Sequence, residues 1–141
     1  MKGAALRSLG NRGEEEAARY LQAQGHVILA RNWRSRRGGW EARPELDIIS
    51  RDGDSIVFVE VKTRAAGGMS TPADAMNHKK RTRIIRGARS WLAENNAWAK
   101  PCRFDVICII QQADSLIVEH IAHAFDASSF VDSRHAAWQP W

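Results

Sequence analysis

The stretch ELDIISRDGDSIVFVEVKT, residues 45–63, decides how the rest of the chain is read. Two apolar-rich runs, 45–51 and 54–63, flank Asp52-Gly53, a dipeptide that predicts a β-hairpin because both central turn positions need residues that tolerate positive φ. Ile56, Val57, Phe58, Val59 and Val61 place apolar groups on both faces of the second strand, so it should be covered on both sides. Glu60 and Lys62 interrupt that run and, two residues apart, share a face. Charged groups at the end of an interior strand are costly to desolvate unless they are paired, bind a metal or open onto a cleft. With Asp52-Gly53 as the turn, Arg51 faces Asp54, Glu45 lies opposite Glu60, and Asp47 lies opposite Phe58. Glu45, Asp47, Phe58, Glu60 and Lys62 then occupy one face, with Asp47 diagonal to Glu60. Three carboxylates crowded in this way repel unless a cation sits among them, and hard oxygen donors suit Mg²⁺ or Mn²⁺. The competing expectation is a salt-bridged patch around Lys62 without a metal.

Outward from the hairpin, GEEEAARYLQAQ (13–24) predicts a helix closed by Gly25. Glu14, Ala17, Ala18 and Leu21 form its core-facing stripe, headed by Glu14, while Glu15 is expected to pair with Arg19. Residues 26–34 predict a strand that enters an Arg- and Gly-rich loop, 35–43. Downstream, a long helix is expected over 73–95, with strands over 103–110 and 116–121. The order predicts an α/β fold: one domain over 1–125 with a mixed central sheet flanked by helices, then a loosely ordered tail over 126–141.

Lys and Arg number 21 against 16 Asp and Glu, a net charge of +5 in 141 residues. The excess is clustered. Arg31, Arg34, Arg36, Arg37 and Arg43 lie in one stretch, and Lys79, Lys80, Arg81, Arg83, Arg86 and Arg89 lie in another that has no acid. Such clusters attract polyanions, nucleic acid above all, although the same charges also serve as solvated faces. On the second helix Ile84, Ala88, Trp91 and Leu92 form the packing face, leaving Lys79, Arg83 and Arg86 as an outward ridge suited to phosphate contacts. Trp33 and Trp40 in the basic loop could stack on bases. His120 and His123 are expected to play surface roles. Cys102 and Cys108 lack zinc or redox spacing and read as reduced core residues. No stretch approaches 18 apolar residues and none resembles a signal peptide, so a cytoplasmic protein without membrane contact is expected.

The chemistry that fits is metal-assisted phosphodiester hydrolysis. Asp47 and Glu60 would hold the metal, Lys62 would position or help deprotonate water or meet charge on phosphorus, and Glu14 would orient a second metal or the ligands of the first. The runs GEEEAARYL, NWR (32–34), ELDII, VFVEVKTR and RFDVI, with the Lys- and Arg-rich helix start, resemble the YraN-type family of small bacterial proteins over roughly residues 10–125. That family is similar to the PD-(D/E)xK nucleases, related to restriction endonucleases and Holliday-junction resolvases. The resemblance implies a restriction-endonuclease-like αβββαβ core. In it Asp47 is the motif aspartate, Glu60 and Lys62 are the (D/E)xK pair, Glu14 is the helix acid, and Lys80 is the lysine near the second helix start. It also implies a homodimer. The chain departs from the family pattern at Pro44, in the longer loop RRGGWEAR (36–43), and at Ser70 before Thr71-Pro72. Together these readings predict a Mg²⁺- or Mn²⁺-dependent endonuclease acting on DNA, with branched or processed DNA as the candidate substrate and with Lys79, Lys80, Arg83, Arg86, Arg34 and Arg36 on the nucleic acid. The rival readings are a non-catalytic nucleic-acid-binding module of the same fold and a protein-interaction scaffold.

Overall fold

The computed structural model describes residues 2–36, 45–67 and 77–126, without the side chains of 2–9. Pro44, the 37–43 loop with Trp40, Ser70 with Thr71-Pro72, the helix start over 73–76 and the tail beyond 126 lie outside the described residues.

The elements are α1 (Lys2–Ala23), β1 (Val27–Trp33), β2 (Leu46–Asp52), β3 (Ser55–Ala65), α2 (His78–Glu94), β4 (Cys102–Gln112) and β5 (Ser115–Phe125). This order contains the expected αβββαβ core and adds a strand. The sheet runs β1-β2-β3-β4-β5. All neighbours are antiparallel except β3 and β4, which are parallel and joined through α2, as a parallel pair requires. Several elements outrun the reading from sequence: α1 begins at Lys2 rather than at 13, and β5 spans 115–125 rather than 116–121.

The two-sided apolar character of β3 organises two cores. Ile56 and Phe58 pack with Ile84, Ile85, Ala88, Trp91 and Leu92 of α2, while Val57 and Val59 pack with Ala17, Ala18 and Leu21 of α1. Both predicted helix stripes are therefore buried. Fully burying an aliphatic or aromatic side chain contributes about 1.5–3 kcal/mol, so the covered central strand anchors the fold. Asn77 caps α2, its side chain accepting from the Lys80 N–H at 2.9 Å. After α1, the His26 N–H turns back to the Leu21 carbonyl at 2.9 Å.

The hairpin forms, but in a different register. Asp52 pairs with Ser55 and Arg51 with Ile56, so the central turn residues are Gly53 and Asp54 rather than Asp52 and Gly53. Gly53, at φ +60°, takes the left-handed position that a side chain would strain. The slip is two residues in pairing, so no side chain changes face. Ile48 lies opposite Val59, and one further step brings Asp47 opposite Glu60, not Phe58. Glu45 then comes level with Lys62 rather than Glu60.

Trp33 also departs from expectation. It ends β1 and packs against the α2-side core instead of standing in a loop. Cys108 is buried, and burial pushes the Cys102 thiol up to about 12, in keeping with reduced core cysteines.

Candidate functional site

Glu60 sits where β3 leaves its packed middle. It follows Phe58 on the α2 side of the sheet and is 9 % exposed. Asp47, level with it on β2, accepts the Val61 N–H through Oδ2 at 2.8 Å, which fixes that carboxylate against the β3 backbone. The Asp47 and Glu60 carboxyls are close enough to share a proton. Burial first, and then the Asp47 charge and that shared hydrogen bond, push the Glu60 carboxyl up to about 8. Glu60 is therefore a buried acid whose ionised form lacks sufficient compensation.

Cations approach from α2. Arg83 Nη2 lies 3.4 Å from Glu60 Oε1. Lys80 is within hydrogen-bonding range of Lys62, and burial together with the Lys62 charge holds the Lys80 ammonium below its usual range. These positions correct the outward ridge expected of the helix. Arg83 turns to Glu60 instead of solvent alone, and Lys80 joins the same group. Lys79, Lys80, Arg83 and Arg86 line an open cleft of about 770 Å³, with Glu45 as the acid on its wall.

Glu14 reaches the site from α1 through a close approach of helix to strand. A side chain at Gly13 would collide with Thr63 of β3, so glycine lets the first turns of the acidic run lie on the sheet. Glu14 is hydrogen-bonded to Asn32, and burial, with the Asp47 charge adding to it, raises its carboxyl above the usual range. Its neighbours behave differently from the sequence reading: Glu15 pairs with Arg31 at 3.5 Å, and Arg19 pairs with Glu16 at 3.8 Å.

The crowd of three carboxylates does not form. Among the described residues no group of three or more His, Cys, Asp and Glu is gathered tightly enough to hold a metal. Glu45 is drawn aside against Gly87 of α2, leaving Asp47 and Glu60 as the close pair. Arg34 and Arg36 are exposed beyond the end of β1, and Arg36 pairs with Glu94 at 3.6 Å near the far end of α2. That pairing holds Arg36 away from the Glu60 group.

A second polar cluster, on the α1 side, was missed in the sequence. Asp105 is fully buried. It accepts from Arg103 Nε at 3.1 Å and the His123 N–H at 3.1 Å, and its Oδ2 lies 2.8 Å from His120 Nε2. The Tyr20 hydroxyl meets His120 Nδ1 at 3.1 Å. Arg103 continues to Asp52 at 3.2 Å. Thus His120 is a structural partner of a buried carboxylate rather than a surface residue. The only signal for it in the sequence was the acid inside RFDVI.

A model of the uncharacterised protein family UPF0102 matches residues 13–109. A UPF0102 protein of Nitratidesulfovibrio vulgaris is 51% identical over 137 residues, covering 97% of this chain and 98% of the relative. The chain belongs to the UPF0102 family. A UPF0102 protein of Lawsonia intracellularis is 41% identical over 94% of the chain and 96% of its own length, and one of Nocardia farcinica is 44% identical over 84% and 89%. The UPF0102 match spans α1 from Gly13 through β4 to Ile109, and so includes Glu14, Asp47, Glu60, Lys62 and Asp105. Among the described residues of this UPF0102 chain, no helix is long and apolar enough to cross a membrane.

Proposed function

We propose that this UPF0102 protein is a divalent-metal-dependent nuclease that hydrolyses phosphodiester bonds in DNA, including branched or processed DNA. The observation that carries the reading is Asp47 and Glu60 held together on neighbouring strands, with Glu60 pushed up to about 8 and joined through Arg83, 3.4 Å away, to the cation-lined cleft beside it. Protein folding alone does not favour an uncompensated buried acid, whereas sites that need one tolerate its cost. The resemblance to PD-(D/E)xK nucleases points the same way, residue by residue.

The donor set fits Mg²⁺ or Mn²⁺. Two carboxylates that otherwise share a proton are hard oxygen ligands, and Mg²⁺ is commonly held by one or two carboxylates with water and phosphate completing the shell. Asp47 and Glu60 would hold it, and when bound it supplies a Lewis acid to the scissile phosphate and acidifies water. Lys62, on the same strand face as Glu60, orients the attacking water or meets charge gathering on phosphorus. Lys80 and Arg83 bind phosphate oxygens beside it, and Lys79 and Arg86 extend that contact along the cleft. Glu14 acts on Asp47 from the α1 side. For Glu60 to serve as a ligand it must give up its proton and release Arg83.

A specific observation favours a second reading, a module that binds nucleic acid without cutting it: the Arg83 guanidinium at 3.4 Å already offsets part of the Glu60 charge. The two separate when labelled single-stranded, duplex and four-way-junction DNA are incubated with Mg²⁺, Mn²⁺ or chelator. The nuclease reading expects metal-dependent product that falls at least about 100-fold in Glu60→Gln and Lys62→Ala. Salt-sensitive retardation with no product, unchanged in those variants, would establish the binding module instead.

A further inference from the structure

The two edges of the sheet are not alike. β1 is seven residues long and irregular at Leu29, where its register to β2 shifts, and at Asn32, with φ +49°. Its Arg31 is engaged by Glu15 of α1. Bends, charge and helix contact of this kind blunt an edge against further pairing. β5 is eleven residues long, and its ladder to β4 is regular from Ser115 to Ile121. Leu116 and Val118 pack toward the α1-side core. The alternate residues Ile117, Glu119 and Ile121 therefore share the opposite face, where both isoleucines are more than a third exposed. Glu119 makes no ion pair with another described residue. Across residues 111–125 there are two acids, Asp114 and Glu119, and no Lys or Arg, in a chain whose net charge is +5.

We propose that the outer edge of β5 adds an extended strand from a basic partner protein, read on one face as apolar, cation, apolar against Ile121, Glu119 and Ile117. Main-chain hydrogen bonds along the seven regular residues supply the pairing, and the alternate side chains supply selectivity. Charge decides the occupant. A second copy pairing β5 with β5 brings two acidic edges together, and β5 itself carries no Lys or Arg to meet nucleic acid. A strand with Lys or Arg between two apolar residues offsets Glu119 and covers both isoleucines.

The test uses the full chain and the synthetic peptide Thr-Ile-Thr-Lys-Thr-Ile-Thr, its ends blocked, against the same peptide with Glu in place of Lys, with binding followed by fluorescence anisotropy. A protein of positive net charge attracts the Glu peptide through its overall field, so preference for the Lys peptide reports a local acidic site. The expected result is at least about tenfold tighter binding of the Lys peptide, weakened by salt, with the preference inverted in Glu119→Lys. Ile117→Ser should weaken both peptides while leaving the melting temperature unchanged, because that side chain is exposed. Equal affinity for the two peptides, no binding, or a preference that survives Glu119→Lys overturns the proposal. So does sedimentation showing a dimer that Glu119→Lys disperses, which would assign the edge to a second copy.

Discussion

Glu60 and Asp105 are buried carboxylates on adjacent parallel strands, one step apart in register, since Asp105 lies opposite Val59 and Glu60 opposite Val106. Their surroundings differ in kind. Asp105, on the α1 side, is met by a guanidinium, an imidazole and a backbone N–H. Although burial pushes its carboxyl up, the hydrogen bonds from His120, His123 and Arg103 outweigh that and hold it below its ordinary value. Glu60, on the α2 side, shares a proton with another acid and sees one guanidinium at 3.4 Å. The same sheet thus completes one polar group and leaves the other under-compensated. A completed group stabilises the fold. An under-compensated group beside a cation-lined cleft can respond to a ligand, so the contrast separates scaffold from candidate site without reference to any relative.

The largest expected effect comes from breaking the completed group. Asp105→Ala strips His120 of its carboxylate, leaves Arg103 only its contact with Asp52, and should cost about 3–5 kcal/mol. Urea unfolding measures this directly, and a loss below about 1 kcal/mol would place Asp105 outside the scaffold. Tyr20→Phe removes only the outermost hydroxyl and should cost about 1 kcal/mol.

Glu60→Gln should act in the opposite direction. A carboxyl raised from 4.5 to about 8 in the folded chain contributes stability fully present below 4.5, which is lost as pH rises through 8. At pH 9 without metal, the amide should therefore raise stability by about 1–3 kcal/mol, an order-of-magnitude figure for a strongly coupled pair. At pH 4, where folded and unfolded carboxyls are both largely protonated, the gain should shrink toward zero. A variant that is more stable at alkaline pH and inactive in the DNA assay would show the cost that the site imposes on the fold. An unchanged melting temperature at both pH values would mean that Glu60 is compensated after all.

This difference between the two carboxylates was only half legible in the sequence. Glu60 stood out because an acid inside a run of β-branched residues breaks a local pattern, and Lys62 repeats the break two residues on. The faces of the hairpin were also legible, because alternation survives a register slip of two. The register itself was not: Asp52 and Asp54 flank the same glycine, and only the three-dimensional pairing of Asp52 with Ser55 selects Gly53-Asp54 as the turn. Arg83 at Glu60 escaped notice because helical periodicity assigns a side chain to a face without saying how far a long guanidinium arm reaches across it. The Asp105 group was invisible for a different reason. Tyr20 and His120 are 100 residues apart, and nothing local to either announces the other.

The smallest effect sharpens the comparison from the edge of the completed group. His26 is buried, its Nδ1 is 2.9 Å from Ser50 Oγ and its Nε2 is 3.7 Å from Asp52. Asp52 favours the imidazolium and Arg103 opposes it, but burial is the strongest influence and lowers the imidazole below its ordinary 6.5. Stability from a neutral buried histidine is fully present above 6.5 and is lost as pH falls through the range between the unfolded and folded values. Glu60 opposes this, because its stabilising proton is progressively retained as pH falls from 8. Between pH 7 and pH 5 the two influences act in opposite directions in the wild type. Glu60→Gln removes one and should expose a decline in melting temperature on acidification. Adding His26→Gln should flatten that decline, read as the difference in melting temperature between pH 7 and pH 5. If the decline persists in the double variant, His26 is not its source and this reading of the buried imidazole fails.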